Sequence, residues 1–129
     1  MRKVNQEEIA SVIRLPGPER FEYFVKNVVD SEKVWGLWKD GWALMAGDGE
    51  RMALALWPAP EYADLHRNGE WADYLAREVS LGDLMAQLLP AMKASDVVPA
   101  VFPTPAGKGV TPTWEELRAA FERELEQYE

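Results

Sequence analysis

From Val34 to Trp57 the chain sets aromatic and aliphatic residues almost without a break, and Asp40-Gly41 and Asp48-Gly49 punctuate the run. Asp-Gly favours a two-residue type I′ turn, because both central positions need positive φ, which Asp tolerates and Gly adopts freely. The pattern predicts two hairpins in series, a β-meander with strands near Val34–Lys39, Trp42–Ala46 and Arg51–Trp57. A two-residue loop at Asp40-Gly41 would pair Lys39 with Trp42. Trp35, Leu37, Trp42, Leu44 and Ala46 would then share one face, and Gly36, Trp38, Ala43 and Met45 the other. The same arithmetic across Asp48-Gly49 adds Ala53, Ala55 and Trp57 to the first face and Met52, Leu54 and Leu56 to the second, although Gly47 permits a longer loop. Both faces are apolar. Helices must cover both, or one face stays partly open as a groove.

Covering helices are legible on either side of the meander. Asn5 caps a short amphipathic helix carrying Ile9, Val12 and Ile13, which Pro16-Gly17-Pro18 stops. Phe21, Phe24, Val25, Val28 and Val29 then recur at helical spacing. A further helix runs from Pro60 to Asn68-Gly69, with Pro near its start. Trp71 to Ala76 fits either a short helix or an extended arm. Ser80-Leu81-Gly82-Asp83 starts a helix with Leu84, Met85, Leu88 and Leu89 on one stripe, ending near Pro90. Val97–Pro103 reads as a fourth strand whose two prolines demand an edge or a bulge. Thr113-Trp114-Glu115-Glu116 is a capping box opening a C-terminal helix with Leu117, Ala120, Phe121 and Leu125. The expectation is an α+β fold, an antiparallel sheet of about four strands covered by four to five amphipathic helices. One domain spans 1–129, with 1–16 an N-terminal helix and 17–129 the α+β core.

Charge narrows the partners. With 22 acidic and 14 basic residues the net charge is -8, which disfavours nucleic acid and anionic membrane surfaces. The chain has no cysteine, so a disulfide framework and a thiolate nucleophile are both excluded, and a reducing cytoplasm is the expected compartment. No apolar signal core follows Met1-Arg2-Lys3, and no apolar run reaches the ~20 residues of a membrane span.

The ordered motifs Val34-Trp35-Gly36-Leu37-Trp38, Asp40-Gly41-Trp42-Ala43-Leu44, Trp57-Pro58, Pro60-Glu61-Tyr62-Ala63, Gly69-Glu70-Trp71-Ala72-Asp73-Tyr74, Val101-Phe102-Pro103-Thr104-Pro105 and Gly107-Lys108-Gly109-Val110 resemble the bacterial family Domain of Unknown Function 2750. The resemblance runs from about Phe21 to the last helix. It implies a single-domain bacterial cytoplasmic protein and supplies no activity to transfer.

Chemistry is sparse. His66 is the sole histidine, placed near a helix C-terminus where a partly exposed, dipole-stabilised imidazole is the plain expectation. Ser11, Ser31, Ser80 and Ser95 lack a nucleophile-elbow context. Metal ligation falls to carboxylates alone, Asp48 with Glu50 or Glu70 with Asp73, and turn or solvated-face roles explain both pairs. Gly107-Lys108-Gly109 lacks the full P-loop pattern and reads first as a turn. Six tryptophans in 129 residues are several-fold above usual usage, and Trp is enriched in binding hot spots. Most belong in a core, but Trp38, Trp57 and Trp71 lie beside Asp40, Pro58 and Asp73, as a rim would.

The binding candidates are Trp38, Trp42, Trp57, Tyr62, Trp71, Asp73 and Lys108, with no catalytic or metal residue and no cofactor. The leading reading is a non-enzymatic interaction or regulatory module, a monomer or weak homodimer, whose acidic surface and exposed aromatics engage a basic or neutral protein. The rival is a ligand or enzyme pocket lined by Trp42, Trp57 and Tyr62, with Glu61, Glu70 or Asp73 as acid/base and Lys108 as anion contact.

Overall fold

The computed structural model describes residues 4–47, 49 and 51–127. The expected α+β class holds, but the strands divide into a two-stranded and a three-stranded sheet. Helix α1 (Gln6–Val12) leads into α2 (Gly17–Ser31), followed by β1 (Lys33–Trp38), β2 (Leu44–Ala46) and β3 (Met52–Leu56). After α3 (Pro60–Asp64) and a 3₁₀ turn (Gly69–Trp71) comes β4 (Leu75–Ser80). Helix α4 (Leu81–Asp83) runs through a π-helical stretch (Leu84–Leu88) into α5 (Leu89–Ala94), and β5 (Val98–Val101) and α6 (Trp114–Glu126) close the order.

Local chemistry sets the element ends. Asn5 Oδ1 accepts from Glu8 N–H at 2.8 Å, Ser80 Oγ from Asp83 N–H at 3.0 Å, and Thr113 completes its capping box with Glu116. Pro90 explains the π stretch. A proline inside a helix lacks its N–H and crowds the carbonyl four residues back, and widening the turn ahead of it, where Leu89 N–H reaches Leu84 C=O, makes room.

The predicted meander does not form as drawn. β1 pairs over its full length with β4, antiparallel, from Lys33↔Ser80 to Trp38↔Leu75. It meets the β2–β3 hairpin only at that hairpin's open end, through single bridges Trp38↔Trp42 and Trp35↔Trp57. β4 escaped the sequence reading because Leu75-Ala76-Arg77-Glu78-Val79-Ser80 is a polar, mostly exposed edge strand with little hydrophobic alternation. The proline-bearing β5 does take an edge, as its prolines require, but it runs parallel to β3 (Ala53↔Val98 to Leu56↔Val101).

Both registers also shift by one residue. Trp38 stands opposite Trp42, so three residues, Lys39 to Gly41, make the loop where two were expected. Trp42 therefore joins Trp38 and Gly36 instead of Trp35 and Leu37. The indole lies so close over Gly36 that a Cβ there would meet its ring at 2.9 Å. The β2–β3 ladder pairs Leu44 with Leu54 and Met45 with Ala53, which places Leu44, Ala46, Met52 and Leu54 together. The pairing closes where Gly47 N–H donates to Arg51 C=O at 2.9 Å, which fits the longer alternative that Gly47 allows; Asp48 and Glu50 lie outside the described residues.

Helices α2 and α6 pack on each other through Phe24 and Phe121, whose ring centres lie 6.0 Å apart. Phe24, Val28, Val34, Leu37, Trp57, Tyr62, Leu84, Val101, Leu117 and Phe121 form one buried core. Among the described residues no helix is long and apolar enough to cross a membrane.

Candidate functional site

The seven candidate residues separate into three places. Trp57 and Tyr62 belong to the core and rim no pocket, being 0% and 1% exposed. Trp57 Nε1–H donates to the Pro103 carbonyl at 2.9 Å. The Tyr62 hydroxyl bonds Tyr23 at 2.8 Å, and Tyr23 donates to the Glu8 carboxylate of α1.

Trp57 is one of several groups that converge on a kinked backbone. Phe102 holds φ 56° although it is not glycine, a conformation costing roughly 1–3 kcal/mol unless its surroundings fix it. They do. Phe102 N–H donates to Leu56 C=O at 2.8 Å, and its own carbonyl accepts from Arg20 Nε at 3.0 Å. Arg20 is itself buried, and a second nitrogen reaches Leu15 C=O at 2.6 Å. Gly109 completes the clamp: a Cβ there would lie 2.6 Å from Val101 O, so only glycine lets these backbones approach.

The kink launches the loop bearing Lys108. Thr104 and Gly107 bridge each other through paired backbone hydrogen bonds of 2.9 and 3.1 Å, so Gly107-Lys108-Gly109 serves a tight turn. Lys108 sits on the exposed rim of a shallow cleft of about 330 Å³ that Met45, His66, Trp71 and Pro103 also line. His66 is partly exposed, as expected, but two rings and a backbone carbonyl hold its imidazole. Its ring lies tilted against Trp57 at 4.9 Å and against Trp71 at 6.4 Å between ring centres, and Nε2 lies 3.1 Å from the Pro103 carbonyl. A carbonyl only accepts, so Nε2 carries the proton and Nδ1 the lone pair in the neutral ring. Desolvation lowers its pKa below 6.5, outweighing the opposing effect of that hydrogen bond.

The third place is an open ledge. Trp38 and Trp42 meet edge to face at 4.9 Å, both partly exposed. The Arg77 guanidinium lies 4.2 Å from the Trp38 ring centre and 5.8 Å from that of Trp42. Beside it Asp73 pairs with Lys39 at 3.3 Å on the surface. Large apolar side chains continue the ledge: Leu75 is 61% exposed, Met52 43% and Leu44 37%. Sequence reasoning missed Arg77, Leu75, Leu44 and Met52 here, because the register that gathers them depends on β4 pairing and a one-residue slip. The signal available was Gly36, whose missing side chain is what admits Trp42.

No pocket gathers Trp42, Trp57 and Tyr62. The buried charged or polar residues among those described are Arg20 and Thr104, so Glu61, Glu70 and Asp73 occupy partly or fully exposed positions without the desolvation an acid/base carboxylate needs. An open groove of about 720 Å³ beside α6 has an apolar floor including Phe21 and Ala119, and Glu116 on it is engaged in capping Thr113. Among the described residues no three His, Cys, Asp or Glu side chains are placed to hold a metal ion.

No curated protein and no solved structure matches the chain. A family model described as a protein of unknown function, DUF2750, matches residues 21–121, a span that holds the meander tryptophans, the kinked Phe102 and the ledge, and the chain therefore belongs to the DUF2750 family.

Proposed function

We propose that this protein acts by binding another protein, as a non-enzymatic interaction or regulatory module, and that the ledge is its contact surface. One observation carries the reading: Trp38 and Trp42 meet at the surface, Leu75 stands opposite Trp38, and Leu44 and Met52 on the β2–β3 hairpin that Trp42 leads into are exposed as well. Leaving several large apolar side chains wet at roughly 25 cal/mol per Å² is a cost that a core would have removed, and such patches mark interaction sites. Trp and Arg at its centre are the residue types that dominate interface energetics. The titratable groups supply a weaker case for catalysis. The cleft is shallow, none of its lining residues is a carboxylate, and its histidine already spends one nitrogen on a backbone carbonyl.

Affinity capture with the tagged protein from its own host tests this. Proteins enriched by the wild type should be lost with Trp38→Ala and with Leu44→Lys, and retained with Trp71→Ala, which alters the cleft instead. No enriched protein, or a set indifferent to Trp38 and Leu44 but abolished by Trp71→Ala, would sink the assignment to the ledge.

A further inference from the structure

The Pro103 carbonyl accepts two hydrogen bonds, from Trp57 Nε1 at 2.9 Å and from His66 Nε2 at 3.1 Å, and this fixes one wall of the cleft that Lys108 rims. With Nε2 engaged, the hydrogen-bonding atom left on the neutral imidazole is the Nδ1 lone pair. Thr104, the next residue along the chain, is only 7% exposed, yet its hydroxyl has no hydrogen-bond partner among the described residues. No fully enclosed side-chain nitrogen or oxygen among those residues is left unpaired, so Thr104 Oγ1 and His66 Nδ1 both open to solvent. The cleft that both residues line is that opening, and a Cβ on Gly107, which also lines it, would come within 3.8 Å of Oγ1. Valine would fill the place of Thr104 without a polar atom to desolvate. The fold gains nothing from this hydroxyl, and its use lies outside the chain.

Charge indicates what that use is. No carboxylate lines the cleft, and Lys108 stands at its rim with no ion pair among the described residues. On a chain of net charge -8, ground free of acids and carrying a cation is where an anion is tolerated. One ammonium and one hydroxyl match a single carboxylate, whereas a phosphate dianion would ask for a second cation. Half-buried Trp71 and Met45 give the cleft apolar walls for the rest of the molecule. We infer that the cleft binds a small aromatic carboxylate that also carries a hydroxyl or N–H donor. Lys108 Nζ and Thr104 Oγ–H take the carboxylate, His66 Nδ1 accepts from the donor, and the ring lies against Trp71. The site goes beyond the protein contact proposed above and does not rest on it. Leu44 and Met45 are successive residues of β2 and point to opposite faces, which keeps the cleft apart from the ledge.

Titration of the intact, isotope-labelled protein with meta-hydroxybenzoate, para-hydroxybenzoate and indole carboxylate, each beside its primary amide, decides it. At least one acid should bind with a Kd of about 1 mM or tighter and shift the NMR signals of the Thr104, Gly107 and Lys108 amides and the Trp71 indole N–H. Its amide should bind about tenfold or more weakly, the usual worth of a hydrogen-bonded charge. Thr104→Val should weaken the acid by about the same factor and leave the thermal midpoint equal or higher, because the hydroxyl has no partner within the fold. Lys108→Gln, whose exposed side chain carries no part of the fold, should weaken the acid too. Lys93→Gln removes the same charge elsewhere, where it pairs with Glu115, and should not. No acid bound, an amide bound equally well, inorganic phosphate bound more tightly than the acids, or an affinity indifferent to Thr104→Val or to Lys108→Gln would each overturn the inference. A lowered midpoint for Thr104→Val overturns it as well, by giving the hydroxyl to the fold.

Discussion

Trp57 and the Trp38–Trp42 pair lie in one continuous aromatic run of the sequence, yet they do opposite things. Trp57 is wholly enclosed, with its N–H spent on the Pro103 carbonyl and its face on His66. Trp38 and Trp42 face each other at the surface beneath a guanidinium. The difference arises from neighbours. The Pro103 carbonyl of the chain after Phe102 meets Trp57, whereas β2 is a terminal strand of its sheet. A tryptophan count therefore says that large flat surfaces must be placed, and only pairing says which of them are covered.

If that contrast is real, the inner tryptophan should be far more costly to remove. Trp57→Ala is expected to lose about 3–5 kcal/mol in urea unfolding, through the cavity and the carbonyl it abandons. A loss near 1 kcal/mol would erase the distinction. Gly109→Ala attacks the same region from the backbone: a positive φ and a Cβ 2.6 Å from Val101 O should cost about 2 kcal/mol or more. The outer pair should respond less. Trp38→Ala is expected to cost about 1 kcal/mol, because a half-exposed ring gives up little buried area, while abolishing partner binding.

His66 joins the inner region to pH. Its folded pKa lies below 6.5, so the unfolded chain binds the extra proton first as the pH falls. Its contribution is complete above about 6.5 and is lost as pH drops from there to the folded value. His66→Gln should flatten that part of the stability profile, and an unchanged slope would show that the imidazole is not desolvated. The smallest effect belongs to the outer ion pair. Asp73→Asn should alter stability by less than about 1 kcal/mol, since Lys39 and Asp73 meet in solvent.

Much of the architecture was legible. Asn5, Ser80 and Thr113 announced helix starts because a cap is a bond between a side chain and a backbone amide three residues away. Pro99 announced an edge, and β5 is one, because a missing N–H cannot join a central ladder. Arg77 could not be read as a site, since its meaning depends on Trp38 across the β1–β4 ladder and on Trp42 across a bridge. Trp57 and Tyr62 were misplaced on a rim for the same reason.

By itself the sequence determined the class of fold, the helix starts, the places where the chain must turn, and the fact that both faces of the central strands are apolar. These follow from interactions a few residues long. The tertiary structure decided the sheet partners, the one-residue register and the direction of β5, and with them which aromatics meet solvent. A side-chain period of two makes every face depend on the exact length of a loop, and an edge strand such as β4 owes its place to the strand it covers more than to its own composition.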